Sequence, residues 1–374
     1  MFIKKEKIEE INKNIDLLNK ENKKYQKKLI EIEEKLNEEK KHNYIVEREL
    51  MKTYKVFEYK YCQHNMALNE ILYNYELEMK KNKSINNNNI NPLISIIIPV
   101  YNGSEFLDYA IKSALGQTYT NFEIIVVNDG SNDKGKTEAV AKKYGDKIRY
   151  YKKENGGVST ALNYGIKKMK GDYFCWLSHD DLFYPNHLEE HINYIKYASD
   201  ENTITYTNFD IIDESGQLKL NETIIELLHI SDYKLSKTSH YACLLQGEIN
   251  GGNVMIPRIA FKECGMFEEG NKITQEKEMW SRLLKKYSFV NIPKITYSIR
   301  SHSKQITQND SNISKETNKK LLEIINNIPE KEMIKESKNV ENFYLLLYQH
   351  YINNNLIEMA NEMMRKYKNS IKKH

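Results

Sequence analysis

The sequence predicts an α/β domain with a mostly parallel sheet and helices on both faces. A long coiled-coil helix is expected before it and a small helical region after it. Three observations carry this. Residues 93–100 (LISIIIPV), 122–127 (FEIIVV) and 173–177 (YFCWL) are nearly continuous apolar runs, as in strands covered on both faces. Stretches with one apolar helical face alternate with them, which gives a doubly wound order. Residues 4–81 hold no glycine or proline and repeat apolar residues at spacings of three and four. The expected division is 1–81 coiled coil, 82–92 linker, 93–310 α/β domain and 311–374 helical region.

In the first stretch, Ile8 at heptad position a puts Ile11, Leu18, Tyr25 and Ile32 at d. The a series continues as Ile15, Asn22, Leu29, Leu36, Asn43, Leu50 and Phe57. Asparagine at a favours two parallel strands, so a homodimer through residues 8–57 is expected. A single charged helix lying on the globular domain is the alternative. Residues 82–91 (NKSINNNNIN) are polar and aperiodic, as in a linker.

Composition narrows the partners. The 374 residues carry a formal net charge of +4, with basic and acidic residues interspersed, which gives no case for nucleic acid. Cys62, Cys175, Cys243 and Cys264 show no CxxC spacing, so a reducing compartment fits better than a disulfide framework or zinc site. The first residues lack the apolar core of a signal peptide, and nothing approaches the roughly 20 apolar residues of a membrane span. The expectation is a cytoplasmic protein. The basic ending, 366–374, leaves peripheral contact with the inner membrane face open.

Within the α/β domain the first strand ends at a turn, Pro99-Val100-Tyr101-Asn102-Gly103. A helix follows, with Ser104 as expected N-cap and Phe106, Leu107, Ala110, Ile111, Ala114 and Leu115 on one face. The second strand ends at Asn128-Asp129-Gly130-Ser131. A short strand at 148–151 leads through Glu154-Asn155-Gly156-Gly157 into a helix at 158–169, and then comes 176–185, WLSHDDLFYP. Each strand stops in polar residues at one edge of the sheet, where ligands collect in open α/β folds. Asp180 and Asp181 at that edge suit a hard divalent cation, which prefers oxygen ligands. Capping of the next helix is the competing reading of this pair. The end of the chain reads as helices, with 340–351 and 356–367 an apolar-faced pair.

The segments ISIIIPVYNG, SALGQTYTNFEIIVVNDGS, NGGVSTALNYGI, GDYFCWLSHDD, VMIPRIAFKECGMFEE, QEKEMWSRLLKKY and IRSHSKQ, in this order and spacing, resemble the family 2 glycosyltransferases of the GT-A fold. The resemblance covers residues 93 to about 305. It implies an inverting transfer from a nucleoside-diphosphate sugar, a UDP-sugar first, to an acceptor hydroxyl, with Mn²⁺ or Mg²⁺ as cofactor. The acceptor would be a glycan, a lipid-linked group or a protein, in the setting of polysaccharide biosynthesis.

The resemblance also assigns residues. Pro99, Val100, Tyr101, Asn102, Asp129 and Asn155 would hold the nucleotide; a carboxylate such as Asp129 accepts well from a base N–H. Asp180 and Asp181 match the metal and ribose element, with Asp181 first for the metal and Asp180 for ribose or metal. Glu276 takes the place of the general base, and His302 lies near the diphosphate or metal. The paired Gly251 and Gly252 suggest the floor of an acceptor pocket, and Trp280 either borders it or packs in the core. Blander readings stand beside these: Asp129 as a turn residue, Glu276 as a first-turn acid favoured by the helix dipole, His302 as a surface histidine.

Two positions depart from the family pattern. Ser178 stands where the family's DxDD has its first Asp, and Glu276 stands where Asp is usual. They favour the alternative of a catalytically degenerate scaffold acting through its coiled coil. A nucleotidyltransferase is a weaker third option, because no glycine-rich basic phosphate loop follows the first strand.

Overall fold

The computed structural model describes residues 5–39, 90–196, 203–219, 241–247, 249–270, 274–303, 311–353 and 356–372, with a few positions between 67 and 77. The chain forms two compact units, Met1–Asn87 with Leu220–Leu235, and Asn88–Lys219 with Ser236–His374.

In the first unit, α1 (Lys5–Glu39) is one continuous helix. On its seam Asn22 and Ile32 are buried and Leu18, Tyr25 and Leu29 part-buried, while Leu17 and Ile30, off the seam, are exposed. Asn69, Tyr73 and Leu77, at helical spacing, are buried in the same unit. The heptads beyond residue 39 and the linker up to residue 89 lie outside the described residues.

The second unit is built on a sheet that holds, among the described residues, β1 (Ile94–Val100), β2 (Phe122–Asp129), β3 (Arg149–Lys153), β4 (Tyr173–Trp176), β5 (Leu182–Phe183), β6 (Thr203–Ile212), β7 (Val254–Pro257) and β8 (Ser288–Arg300). Their order is β3-β2-β1-β4-β7-β6-β8-β5. The first four are parallel, β7 runs against both β4 and β6, β8 is parallel to β6, and β5 runs against β8. Register aligns the strand ends: Val100 faces Asn128, Asp129 faces Lys153, and Ile97 faces Trp176. The loops that follow β1, β2, β3 and β4 therefore open on one edge.

The isoleucine-rich strands are buried on both faces, which is why their sequences do not alternate. Ile96, Ile98 and Val100 pack with α2 (Leu107–Leu115) and α5 (His187–Ile195) on one side. Ile97, Val127 and Trp176 pack with α4 (Val158–Lys168) and α8 (Gln275–Leu283) on the other. Between these elements run α3 (Lys136–Lys142), α6 (Tyr241–Gln246) and α7 (Ile259–Cys264). The C-terminal helices α9 (Ser311–Asn326), α10 (Glu330–Ser337), α11 (Val340–Asn353) and α12 (Ile357–Ile371) share this second core, where Leu321, Ile325, Phe343, Leu347 and Met363 join the cluster of Trp280.

Two local details differ from sequence expectation. Helix α2 starts at Leu107 without a side-chain cap, because the Gly103 carbonyl accepts from the Phe106 and Leu107 amides at 3.2 and 3.0 Å; Ser104 is not its N-cap. Strand β8 carries Pro293. Its pairing with β6 steps from Thr207–Ile292 to Asn208–Ile295, a bulge that spares the ladder a residue with no N–H.

Candidate active site

The loops after β1, β2 and β3 are tied into one surface. The Asn102 amide donates to Ser131 Oγ at 2.9 Å, and the Asn102 and Asn132 side chains and amides exchange bonds at 2.7 and 2.9 Å. Asn102 takes a positive φ of 51°, which asparagine tolerates because its short side chain bonds locally. Pro99 and Val100 are buried, whereas the Tyr101 ring is 42% exposed.

Asp129 ends β2 with its side chain only 4% exposed. One carboxylate oxygen accepts from Lys153 Nζ at 2.5 Å and the other from the Gly157 amide at 2.7 Å; the Gly156 amide lies 3.2 Å from both. The acid thus sits at the start of α4, where the amides are free and the dipole favours negative charge. Lys153 also donates to the Glu154 carbonyl and the Thr160 hydroxyl, and Asn155 Nδ2 bonds the Asp129 carbonyl at 2.9 Å. The carboxylate is taken up by the protein itself, and the groups it holds in place form the 155–157 turn.

The second half of the site gathers after β4. Asp180 Oδ2 lies 3.1 Å from His302 Nε2, and the His302 ring packs on Phe106 at 4.8 Å. Asp181 is differently placed: one oxygen accepts from the Tyr297 hydroxyl and the other from the Arg300 amide at 2.9 Å. The Arg300 side chain donates to the Asp180 carbonyl at 2.9 Å and to the Asp213 and Glu214 carbonyls, with its guanidinium over the Phe106 ring. Burial, and then the neighbouring Asp180 charge, push the Asp181 carboxyl well above the usual carboxylate range, against the pull of Tyr297, Arg300 and Ser178.

Glu276 lies in the first turn of α8. Burial pushes its carboxyl up to about 7, while Lys277 and a hydrogen bond from the Gly251 amide pull it down. Gly251 and Gly252 face aromatic rings so closely that a Cβ on Gly251 would collide with Trp176 and one on Gly252 with Tyr297. Only glycine allows the turn to approach both rings. The Tyr297 hydroxyl, itself pushed well up by burial, feels the charges of Asp181, Asp180 and Glu276 together. Of these acids Asp181 bonds the hydroxyl directly, and Glu276 is linked to the ring through the Gly251-Gly252 turn.

Trp280 is fully buried, edge-on to Phe267 at 5.9 Å, so it is a core residue and not part of a pocket wall. Tyr297 had no motif to announce it, and Arg300, although inside the segment IRSHSKQ, was given no role by it.

For a cation, Asp180 and His302 are the side chains at hand, one oxygen and one nitrogen donor. Both Asp181 oxygens are already engaged. No cluster of three or more His, Cys, Asp or Glu ligands occurs among the described residues. A two-ligand set fits Mg²⁺ or Mn²⁺, which is commonly held by one or two side chains with phosphate oxygens completing the shell.

The sequence signature described as Glycosyl transferase family 2 matches residues 95–265. A protein of Haemophilus influenzae named only as an uncharacterized glycosyltransferase is 31% identical over 225 residues, 55% of this chain and 82% of that protein. The chain therefore belongs to family 2 of the glycosyltransferases. An uncharacterized glycosyltransferase of Rickettsia felis is 45% identical over 244 residues, 65% of this chain, but the match spans only 40% of that protein's length. S. aureus TarS 1-349, solved in complex with UDP-GlcNAc, shares the fold with a TM-score of 0.51 at 15% identity, over 69% of this chain and 72% of that one.

Proposed function

We propose that the chain moves a glycosyl group from a nucleoside-diphosphate sugar, a UDP-sugar first, to a hydroxyl of a glycan or glycoconjugate acceptor, with inversion at the anomeric carbon. The observation that carries this is the chain of contacts that runs from Asp181, beside Asp180, through the Tyr297 hydroxyl and ring to Gly252, and from the neighbouring Gly251 amide to Glu276. A base must meet the acceptor hydroxyl on the side of the sugar opposite the leaving diphosphate, and an acid shifted to about 7 is a competent base at neutral pH.

In this reading the loops of Tyr101, Asn102 and Asn155 hold the nucleotide, and Asp129 acts through the turn it anchors. Glu276 takes the acceptor proton as the acceptor oxygen attacks the anomeric carbon, and the bond from that carbon to the diphosphate oxygen breaks. Asp180 and His302 would hold Mn²⁺ or Mg²⁺, which supplies Lewis-acid neutralisation of the departing diphosphate. Asp181 orders the turn that carries Asp180. The cytoplasmic side is the proposed location, and no described helix is long and apolar enough to cross a membrane.

The test is transfer and donor hydrolysis with UDP-, GDP- and dTDP-sugars, with Mn²⁺ and with a chelator. Turnover of one donor that the chelator abolishes supports the reading. No turnover and no nucleotide binding with any donor overturns it in favour of a degenerate scaffold.

A further inference from the structure

Strand β8 contributes two side chains to the site, Tyr297 and Arg300, and the first, which no motif marks, reaches both of its parts. Tyr297 is fully buried and pairs in register with Phe183, two residues past Asp181. Its hydroxyl donates to Asp181 Oδ2, and Arg300, three residues on, donates its amide to Asp181 Oδ1 and its Nε to the Asp180 carbonyl. The Asp180-Asp181 turn is thereby fixed to β8 at three points. The ring of the same tyrosine is the surface on which Gly252 rests. Gly251, next to it, gives its amide to Glu276. A continuous path of contacts therefore runs from the aspartate turn, through one phenol, to the acid at the head of α8.

We propose that Tyr297 is a positioning residue that sets the distance between Glu276 and the Asp180-Asp181 turn, its hydroxyl fixing one and its ring seating the turn that fixes the other. The inference rests on the glycosyl-transfer reading and assigns it a residue that touches neither donor nor acceptor. The two functions of the side chain can be separated. Tyr297→Phe removes only the hydroxyl and keeps the ring under Gly252, whereas Gly252→Ala drives a methyl into the ring and moves both parts.

Catalytic geometry is sensitive to displacements of about an ångström, so loss of the hydroxyl is expected to lower kcat about 30-fold while the donor KM changes less than about threefold. Mn²⁺-dependent binding of UDP, followed by calorimetry, is expected to weaken several-fold, with the melting temperature within a few degrees of wild type. Because the tyrosine joins two parts of one machine, Tyr297→Phe and Glu276→Gln are expected to combine less than additively in ln kcat. Wild-type kcat and wild-type Mn²⁺-dependent UDP binding in Tyr297→Phe overturn the proposal while leaving the enzyme reading intact. So does full additivity with Glu276→Gln. A wild-type chain that neither turns over a nucleotide sugar nor binds UDP with Mn²⁺ overturns the reading and the proposal with it. Should Gly252→Ala fail to fold, Tyr297→Phe alone decides the matter.

Discussion

The two ends of the active edge follow opposite electrostatic plans. Around Asp129 negative charge is answered by the protein: an ammonium and two backbone amides converge on one carboxylate. Around Tyr297 negative charge is collected. Asp180, Asp181 and Glu276 all act on one hydroxyl, and the donors that hold Asp181 are neutral, a phenol, a serine and a backbone amide. Neutral donors orient a carboxylate without cancelling it, so burial, and then repulsion from Asp180, show up as raised protonation of Asp181. The first end is complete in the free chain and behaves as an anchor. The second end holds a charge imbalance, which in the proposed reaction a bound cation would relieve.

Removing the acid at the head of α8 is the strongest way to break this contrast. Glu276→Gln is expected to lower kcat about 1,000-fold, in the range for loss of a general base, with the fold intact by circular dichroism. Wild-type activity should rise with pH through about 7, as the Glu276 carboxyl loses its proton. Stability should move the other way. The folded chain binds this proton more tightly than the unfolded chain, whose pKa is the ordinary 4.5, so wild-type stability falls as pH rises from 4.5 through 7. The Gln variant escapes this loss, and it should gain about 3 kcal/mol on wild type at pH 8 relative to pH 4 in denaturant melts.

Asp180→Asn should come next, with about a 100-fold loss of kcat and loss of Mn²⁺ dependence in UDP binding by calorimetry, because the one carboxylate facing His302 is neutralised. At the anchored end the effect should be smaller and of another kind. Lys153→Met leaves Asp129 with its two amides and loosens the 155–157 turn, raising donor KM about tenfold with kcat nearly unchanged in steady-state assays. A drop in kcat as large as that of Asp180→Asn would erase the distinction between the two ends. The smallest catalytic effect is expected from Trp280→Phe, which should cost about 1–2 kcal/mol in melts and leave kcat/KM within about threefold.

What the chain shows in sequence follows from how each part is built. The strands β1, β2 and β4 are legible because double-sided burial writes an unbroken apolar run. The acids are legible because they end those strands. Strand β8 is not: it mixes Pro293, Lys294 and polar residues with apolar ones, since its register slips at a bulge and its faces meet different neighbours. Tyr297 was hidden with it, and the role of Arg300 was too, although both hold the aspartate turn. The roles inside the acidic pair were also beyond sequence. Two adjacent aspartates look alike on paper, and only the tertiary contacts give Asp181 to Tyr297 and Arg300 and leave Asp180 toward His302. The heptads of α1 were legible as a helix, but a seam does not say whether its cover comes from the same chain or another.

Helix α8 carries one further consequence. The carboxylate at 276 and the fully buried indole at 280 are one turn apart on the same short helix. Drift in the orientation of that helix would have to dislodge an aromatic wedge from among Phe267 and its neighbours. The Glu276 carboxylate thus inherits the inertia of the hydrophobic interior. Changes in the surrounding loops would leave the address of this acid fixed for as long as the domain folds at all.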